Sequence, residues 1–204
     1  MDVLLAFAAA LVSLRLAAEL VRRWRGRRAP ELLAWGGSLA AFAVASGALA
    51  WGAAAGWDDR AFRVYYLFGG LLTAPLLGAG SLLRARVSVA APVALLYVGL
   101  AIGVAIAVPL DPSVTGTAIP DAAAHLAFLP ARALALVGNV TGTVAAVGVA
   151  LTGIRRRPVG NTLVIAGVVA AAGGSAAAGL GAGGGSVFTI VAATLLYAGF
   201  VSPR

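Results

Sequence analysis

Apolar residues run along this chain in long blocks, and the breaks between the blocks carry arginine, glycine and proline. A helix rises 1.5 Å per residue, so about 20 mostly apolar residues match the hydrocarbon thickness of a bilayer. Seven segments meet that pattern: 3–21, 32–55, 62–83, 88–109, 128–151, 160–180 and 187–202, the last being the shortest. The connections are short, apart from residues 110–127. The pattern predicts an all-α integral membrane protein, with seven transmembrane helices in one bundle and a single domain covering residues 1–204.

Composition supports this reading and removes several chemistries. The chain is 61% hydrophobic and 11% charged, with a mean hydropathy of +0.99, well above the roughly 45–50% apolar usage of soluble domains. All 15 basic residues are arginine. A Schiff base to retinal or pyridoxal phosphate needs lysine, so both are excluded and no cofactor is expected. The absence of cysteine excludes disulfides and thiolate chemistry. His125 is the lone histidine, too few for a multi-histidine zinc or haem site within one chain. Abundant Ala, Gly and Arg beside missing Lys and Gln read as codon bias in a GC-rich bacterial genome, which warns against reading meaning into every small residue.

The arginines set the expected orientation. Eleven fall on one side of the predicted spans: Arg22, Arg23, Arg25, Arg27 and Arg28 after the first, Arg84 and Arg86 after the third, Arg155, Arg156 and Arg157 after the fifth, and Arg204. The other side has three, Arg60, Arg63 and Arg132, among Asp2, Asp58, Asp59, Asp111 and Asp121. Positive charge stays inside, which predicts a multi-pass protein of the cell (inner) membrane with its N-terminus outside and its C-terminus cytoplasmic. The formal charge of +8 is then a topology signal, and the partners of the basic loops are the lipid bilayer's anionic headgroups, not nucleic acid. The first span is expected to stay attached, because its charges follow the apolar stretch where a signal peptide's precede it.

An internal repeat is suggested by RRAP at 27–30 and RRRP at 155–158. SGALAWGAAAG (46–56) also lies over SAAAGLGAGGG (175–185), matching Ser46 to Ser175, Gly52 to Gly181 and Gly56 to Gly185. Two three-helix units, 1–85 and 128–204, would then be joined by a linker helix at 88–109, a 3+1+3 arrangement of the kind found in transporters. In architecture the chain resembles the seven-helix transporters of the PQ-loop and SWEET type and, more loosely, the opsin-like proteins. The resemblance covers helix count, orientation and repeat. With no Pro-Gln pair and no retinal lysine, it carries no functional residue onto this sequence.

Candidate chemistry lies on two polar stripes. Asp58 is placed to cap the third span, and beyond it Asp59, Arg63, Tyr66, Gly70 and Thr73 recur at helical spacing on one face. Asp59 can pair with Arg63, and Gly69, Gly70 and Pro75 form a predicted hinge, since Pro75 frees the Leu71 carbonyl. In the fifth span Arg132, Asn139 and Thr143 share a face. If both stripes face inward, Arg63 and Arg132 flank an outward-opening vestibule floored by Tyr66, Thr73, Asn139 and Thr143, with Ser46, Thr194 and Tyr197 at depths that complete it. Two arginines would select an anionic or polar solute. The alternative is that these groups bond helix to helix, at about 0.6 kcal/mol each.

Other features read as structure. Gly52 and Gly56, Gly99 and Gly103, Gly138 and Gly142, and Gly181 and Gly185 are four apart, as close helix packing in lipid requires, and offer faces for a homo- or hetero-oligomer. GLGAGG (179–184) lacks the βαβ context of a dinucleotide site. Arg15 and Glu19 are spaced to pair, with proton coupling as the other use of Glu19. Asp121 and His125 are spaced to pair on a short interfacial helix, and Trp24, Trp35, Trp51 and Trp57 fall where interfacial anchors belong. These residues are read first as those of a small-solute carrier, with a non-catalytic membrane subunit or sensor acting through a partner protein as the alternative and an intramembrane enzyme as the third and least supported. For the last, no carboxylate pair and no histidine lie within a span. A polar void between the stripes would favour the carrier, and a filled bundle with a small-residue outer groove the subunit.

Overall fold

The computed structural model describes residues 2–155, 157–179 and 185–201. Arg156, Gly181 and Arg204 lie outside the described residues, as do the rest of 180–184 and the side chain of Ser175, and with them the expected Ser46–Ser175 and Gly52–Gly181 matches. Every regular element among the described residues is helical: α1 (Asp2–Arg27), α2 (Pro30–Ala55), α3 (Asp59–Arg84), α4 (Ala90–Ala107), the short α5 (Ala122–His125), α6 (Ala133–Thr152), α7 (Pro158–Gly179) and α8 (Gly185–Val201). Val3–Arg27, Pro30–Ala55, Asp59–Arg84, Ala90–Ala107 and Phe128–Thr152 are five stretches long and apolar enough to cross a membrane. Within α7 and α8 the shorter stretches Pro158–Gly173 and Val187–Gly199 are also apolar.

Local chemistry explains the helix ends. Pro30 opens α2 at the position where its missing N–H costs nothing. Gly56, at φ 92°, closes α2 with its N–H bonded to Gly52 O at 3.0 Å. Asp58 caps α3, its carboxylate accepting from Ala61 N at 2.7 Å. α6 is entered through Phe128–Arg132, a bent segment in which Leu129 is extended (φ −102°, ψ 137°).

Six helices close into a ring. α1 packs on α2 and α8, α2 on α3, α3 on α6, α6 on α7, and α7 on α8. α4 stands outside, against α3 and Phe128–Arg132, with only 11% of its span buried. Many of the buried positions are alanine, as at Ala9, Ala101, Ala192 and Ala193, while Leu4, Leu95, Leu96, Ile106 and Val144 point outward at more than 60% exposure. Small residues inside and large aliphatics outside is the arrangement expected of helices that pack against one another in lipid, where the hydrophobic effect does not drive helices together.

Larger side chains gather in separate clusters. Leu16, Leu20, Trp35, Leu39 and Leu77 form one toward the arginine-rich end. Leu49, Trp57, Phe62, Val114 and Leu126 form another at the aspartate-bearing end. Two of the four tryptophans therefore depart from the anchor role expected of them: Trp35 and Trp57 are 7% and 4% exposed, whereas Trp51 is 65% exposed. Glycine explains the difference. The Trp57 ring occupies the space where Gly52 would carry a Cβ, and the Trp35 ring does the same over Gly80.

Candidate functional site

The two polar stripes meet where α3 loses regular geometry. Tyr66–Leu72, in the middle of α3, is π-helical, and α-helix resumes at Thr73. In a π ladder each carbonyl pairs with the N–H five residues on, so the partner due to Gly70 is residue 75, a proline with no N–H. Asn139 of α6 supplies the missing donor, its Nδ2 lying 2.8 Å from Gly70 O. The compensated carbonyl is thus Gly70, one residue before the Leu71 that an α-type register implies. Two more side chains serve backbone acceptors nearby: Thr73 Oγ1 donates to Phe68 O at 2.7 Å and Ser38 Oγ to Thr73 O at 2.7 Å. Buried carbonyls in an apolar bundle need such donors, because no solvent is present to take their place.

Directly below, α3 and α6 touch backbone to backbone. A Cβ added at Gly78 would lie 2.5 Å from Gly142 Cα. Gly138 is covered by the Tyr97 ring, whose hydroxyl donates to Leu134 O at 3.2 Å. Gly99 and Gly103 on α4, by contrast, have nothing within 4 Å of an added Cβ.

Arg63 finds a backbone acceptor in place of the expected Asp59. Arg63 Nη1 donates to Ala105 O of α4 at 2.7 Å, and Asp59 instead accepts the N–H of buried Val114 at 2.7 Å. Arg132 stacks over Phe128 at 5.7 Å, and Tyr66 stacks on Phe62. Asp121 caps α5 through Ala123 N at 2.9 Å, and His125 Nδ1 sits 2.7 Å from Pro112 O. Arg63 and Tyr66 do border a cleft, with Phe62, Ala105, Leu126 and Ala131 among its walls. Its cavity volume is about 10 Å³, room for roughly one water molecule.

The remaining expected residues are dispersed. Thr143 is half-buried on α6 and Ser46 is buried on α2 at 2% exposure. Thr194 is exposed and bonds back to Ile190 O at 2.8 Å, and Tyr197 packs on the cluster of Leu16 and Trp35 toward the arginine-rich end, away from Arg63. Glu19 pairs with Arg22 and, at 2.8 Å, with Arg23 in place of Arg15. Glu preceding its basic partner is the better order on a helix, and Arg15 offers the reverse. Ser38 and Tyr97 escaped the sequence reading. Tyr97 had a usable signal, being the only polar side chain between Ala90 and Ala107; a mid-span hydroxyl requires a partner.

These bonds give a direct expectation for Asn139→Ala. Losing the donor to Gly70 O should lower the stability of the purified protein by about 1 kcal/mol. Denaturant unfolding in mild detergent would measure it. Stability equal to wild type would show that the α3–α6 bond contributes nothing.

The fold and this site define an all-helical protein with the character of an integral membrane bundle. Comparison with protein-family models, curated proteins and solved structures finds no match.

Proposed function

We propose that the chain is a seven-span protein of the bacterial inner membrane that serves as a non-catalytic subunit or sensor: a filled bundle acting through a partner protein. One observation carries this reading. Asn139 and Thr73 make bonds to α3 backbone, and the glycine crossing just below brings α3 and α6 into direct contact, where a vestibule would require them to part. The open small-residue face of Gly99 and Gly103 on α4 suits association with another helix. The order of the ring supports the 3+1+3 plan, since exchanging two three-helix units turns the α3–α6 contact into the α8–α1 contact and leaves α4 outside. The arginine distribution supports an outer N-terminus and a cytoplasmic C-terminus.

A carrier of a small anionic or polar solute is the second reading. It is favoured by the cleft that Arg63 and Tyr66 share. To work, it needs a state in which α3 separates from α6.

Because the chain contains no cysteine, single cysteines labelled in intact cells by an impermeant maleimide separate these readings. Ser113→Cys, in the exposed outer loop, should label, and Gly26→Cys, at the arginine-rich end, should label only after lysis. Thr73→Cys should stay unlabelled under both conditions. Labelling of Gly26→Cys in intact cells would reverse the orientation. Labelling of Thr73→Cys from outside would replace the subunit reading with the carrier.

A further inference from the structure

At the arginine-rich end, two helices stop on an arginine held in the left-handed region: Arg28 after α1, at φ 51°, and Arg86 after α3, at φ 63°. At α3 the cap is the doubly bonded type, with Arg86 N donating to Leu83 O at 2.9 Å and Val87 N to Leu82 O at 3.0 Å. At α1, Arg28 N donates to Trp24 O at 2.7 Å. Glycine is the usual residue at such a position, because a Cβ there crowds the backbone. This chain has 27 glycines and does use glycine at the positive-φ positions Gly56 and Gly116 at the opposite end. Strain retained at two exposed arginines points to a use for their side chains.

The surroundings indicate which use. Arg28 stacks on Trp24 at 4.9 Å and Arg84 on Trp35 at 5.8 Å. Trp35 also lies on Gly80, so the start of α2 and the end of α3 run side by side and antiparallel. That pairing carries the turns bearing Arg28 and Arg86 to the same corner. Glu31 stands in the first turn of α2, and Glu19 is occupied by Arg22 and Arg23. Among the described residues, Arg28, Arg84 and Arg86 enter no ion pair.

We propose that this corner binds the phosphodiester headgroup of an anionic phospholipid. Arg28, Arg84 and Arg86 supply the charge. Arg28 and Arg84 lie over the Trp24 and Trp35 rings, and a guanidinium's planar fork matches phosphate oxygens. The site rests on the chain lying in a bilayer, and not on whether it acts as subunit or carrier.

The test compares thermal unfolding of the full chain in phosphatidylcholine nanodiscs with and without phosphatidylglycerol. Phosphatidylglycerol should raise the unfolding temperature of the wild type by about 5 °C. The double variant Arg28→Gly, Arg86→Gly should unfold no earlier than wild type in phosphatidylcholine alone, since glycine relieves the caps, yet lose most of the rise. Arg84→Ala, which leaves both caps untouched, should also lose part of it, and Arg60→Ala at the opposite end should keep it. A rise retained by the double variant, or lost equally in Arg60→Ala, overturns the site. An equal rise from inorganic phosphate without the anionic lipid overturns the lipid as its occupant.

Discussion

Alanine at Gly142 is expected to destabilise the protein by about 3 kcal/mol, the upper part of the range for forcing extra volume into a packed interior. The added Cβ would lie 2.5 Å from the Ala74 carbonyl carbon and 2.8 Å from Pro75 Cα. Both are backbone atoms, so no side chain can rotate out of the way. The helices must separate, and separation stretches the Asn139–Gly70 bond one turn away. Gly148 on the same helix is the control. It has nothing within 4 Å, so Gly148→Ala should be neutral or stabilising by up to about 1 kcal/mol through helix propensity. Denaturant unfolding in mild detergent measures both. Equal stability of the two variants would mean that the crossing is not the close contact described.

The same glycines show how much the sequence could reveal. Spacing marked Gly138 and Gly142 as a packing face, but it marked Gly99 and Gly103 identically, and only the first pair is covered. A four-residue spacing says that a helix can be approached closely and is silent on which helix approaches. The long helices were legible because hydrophobic length is a property of one segment. The irregularity in α3 was legible through Pro75, although its π-helical form moved the compensated carbonyl from Leu71 to Gly70. The arginine contacts were not legible. The acceptor for Arg63 is the backbone of Ala105, and a carbonyl leaves no trace in residue identity. Asp59 looked like the natural partner of Arg63 until the long loop brought the buried N–H of Val114 to it. Trp35 and Trp57 departed from the anchor role for a related reason: position near a helix end predicts an interfacial ring only where no nearby glycine makes room for it.

Removing the indole of Trp57 should release the cap over the aspartate-bearing end. The ring lies on Gly52, meets Tyr65 edge to face at 5.4 Å and belongs to the cluster that holds Val114 and Leu126. Its backbone N–H also donates to Gly116 O at 2.7 Å, and His125 O accepts from Asp111 N at 3.0 Å, so residues 109–127 are fastened by this cluster and a handful of bonds. Burying a large aromatic and then deleting it costs about 3–5 kcal/mol in well-packed sites. Because the other large cluster lies at the far end, around Leu16 and Trp35, the loss should be local. Hydrogen exchange in Trp57→Ala should rise sharply across 109–127 while the arginine-rich ends of α1, α2 and α3 keep their protection. Trp51→Ala, at an exposed ring, should leave both unchanged. Trp57→Phe separates packing from polarity. The indole N–H is buried with no protein acceptor, so phenylalanine keeps most of the apolar contact while removing an unsatisfied donor, and the cap should remain closed. Uniform loss of protection in Trp57→Ala would show that the two ends unfold as one unit and that Trp57 supports the whole bundle; unchanged exchange across 109–127 would show that the backbone bonds hold the cap without it.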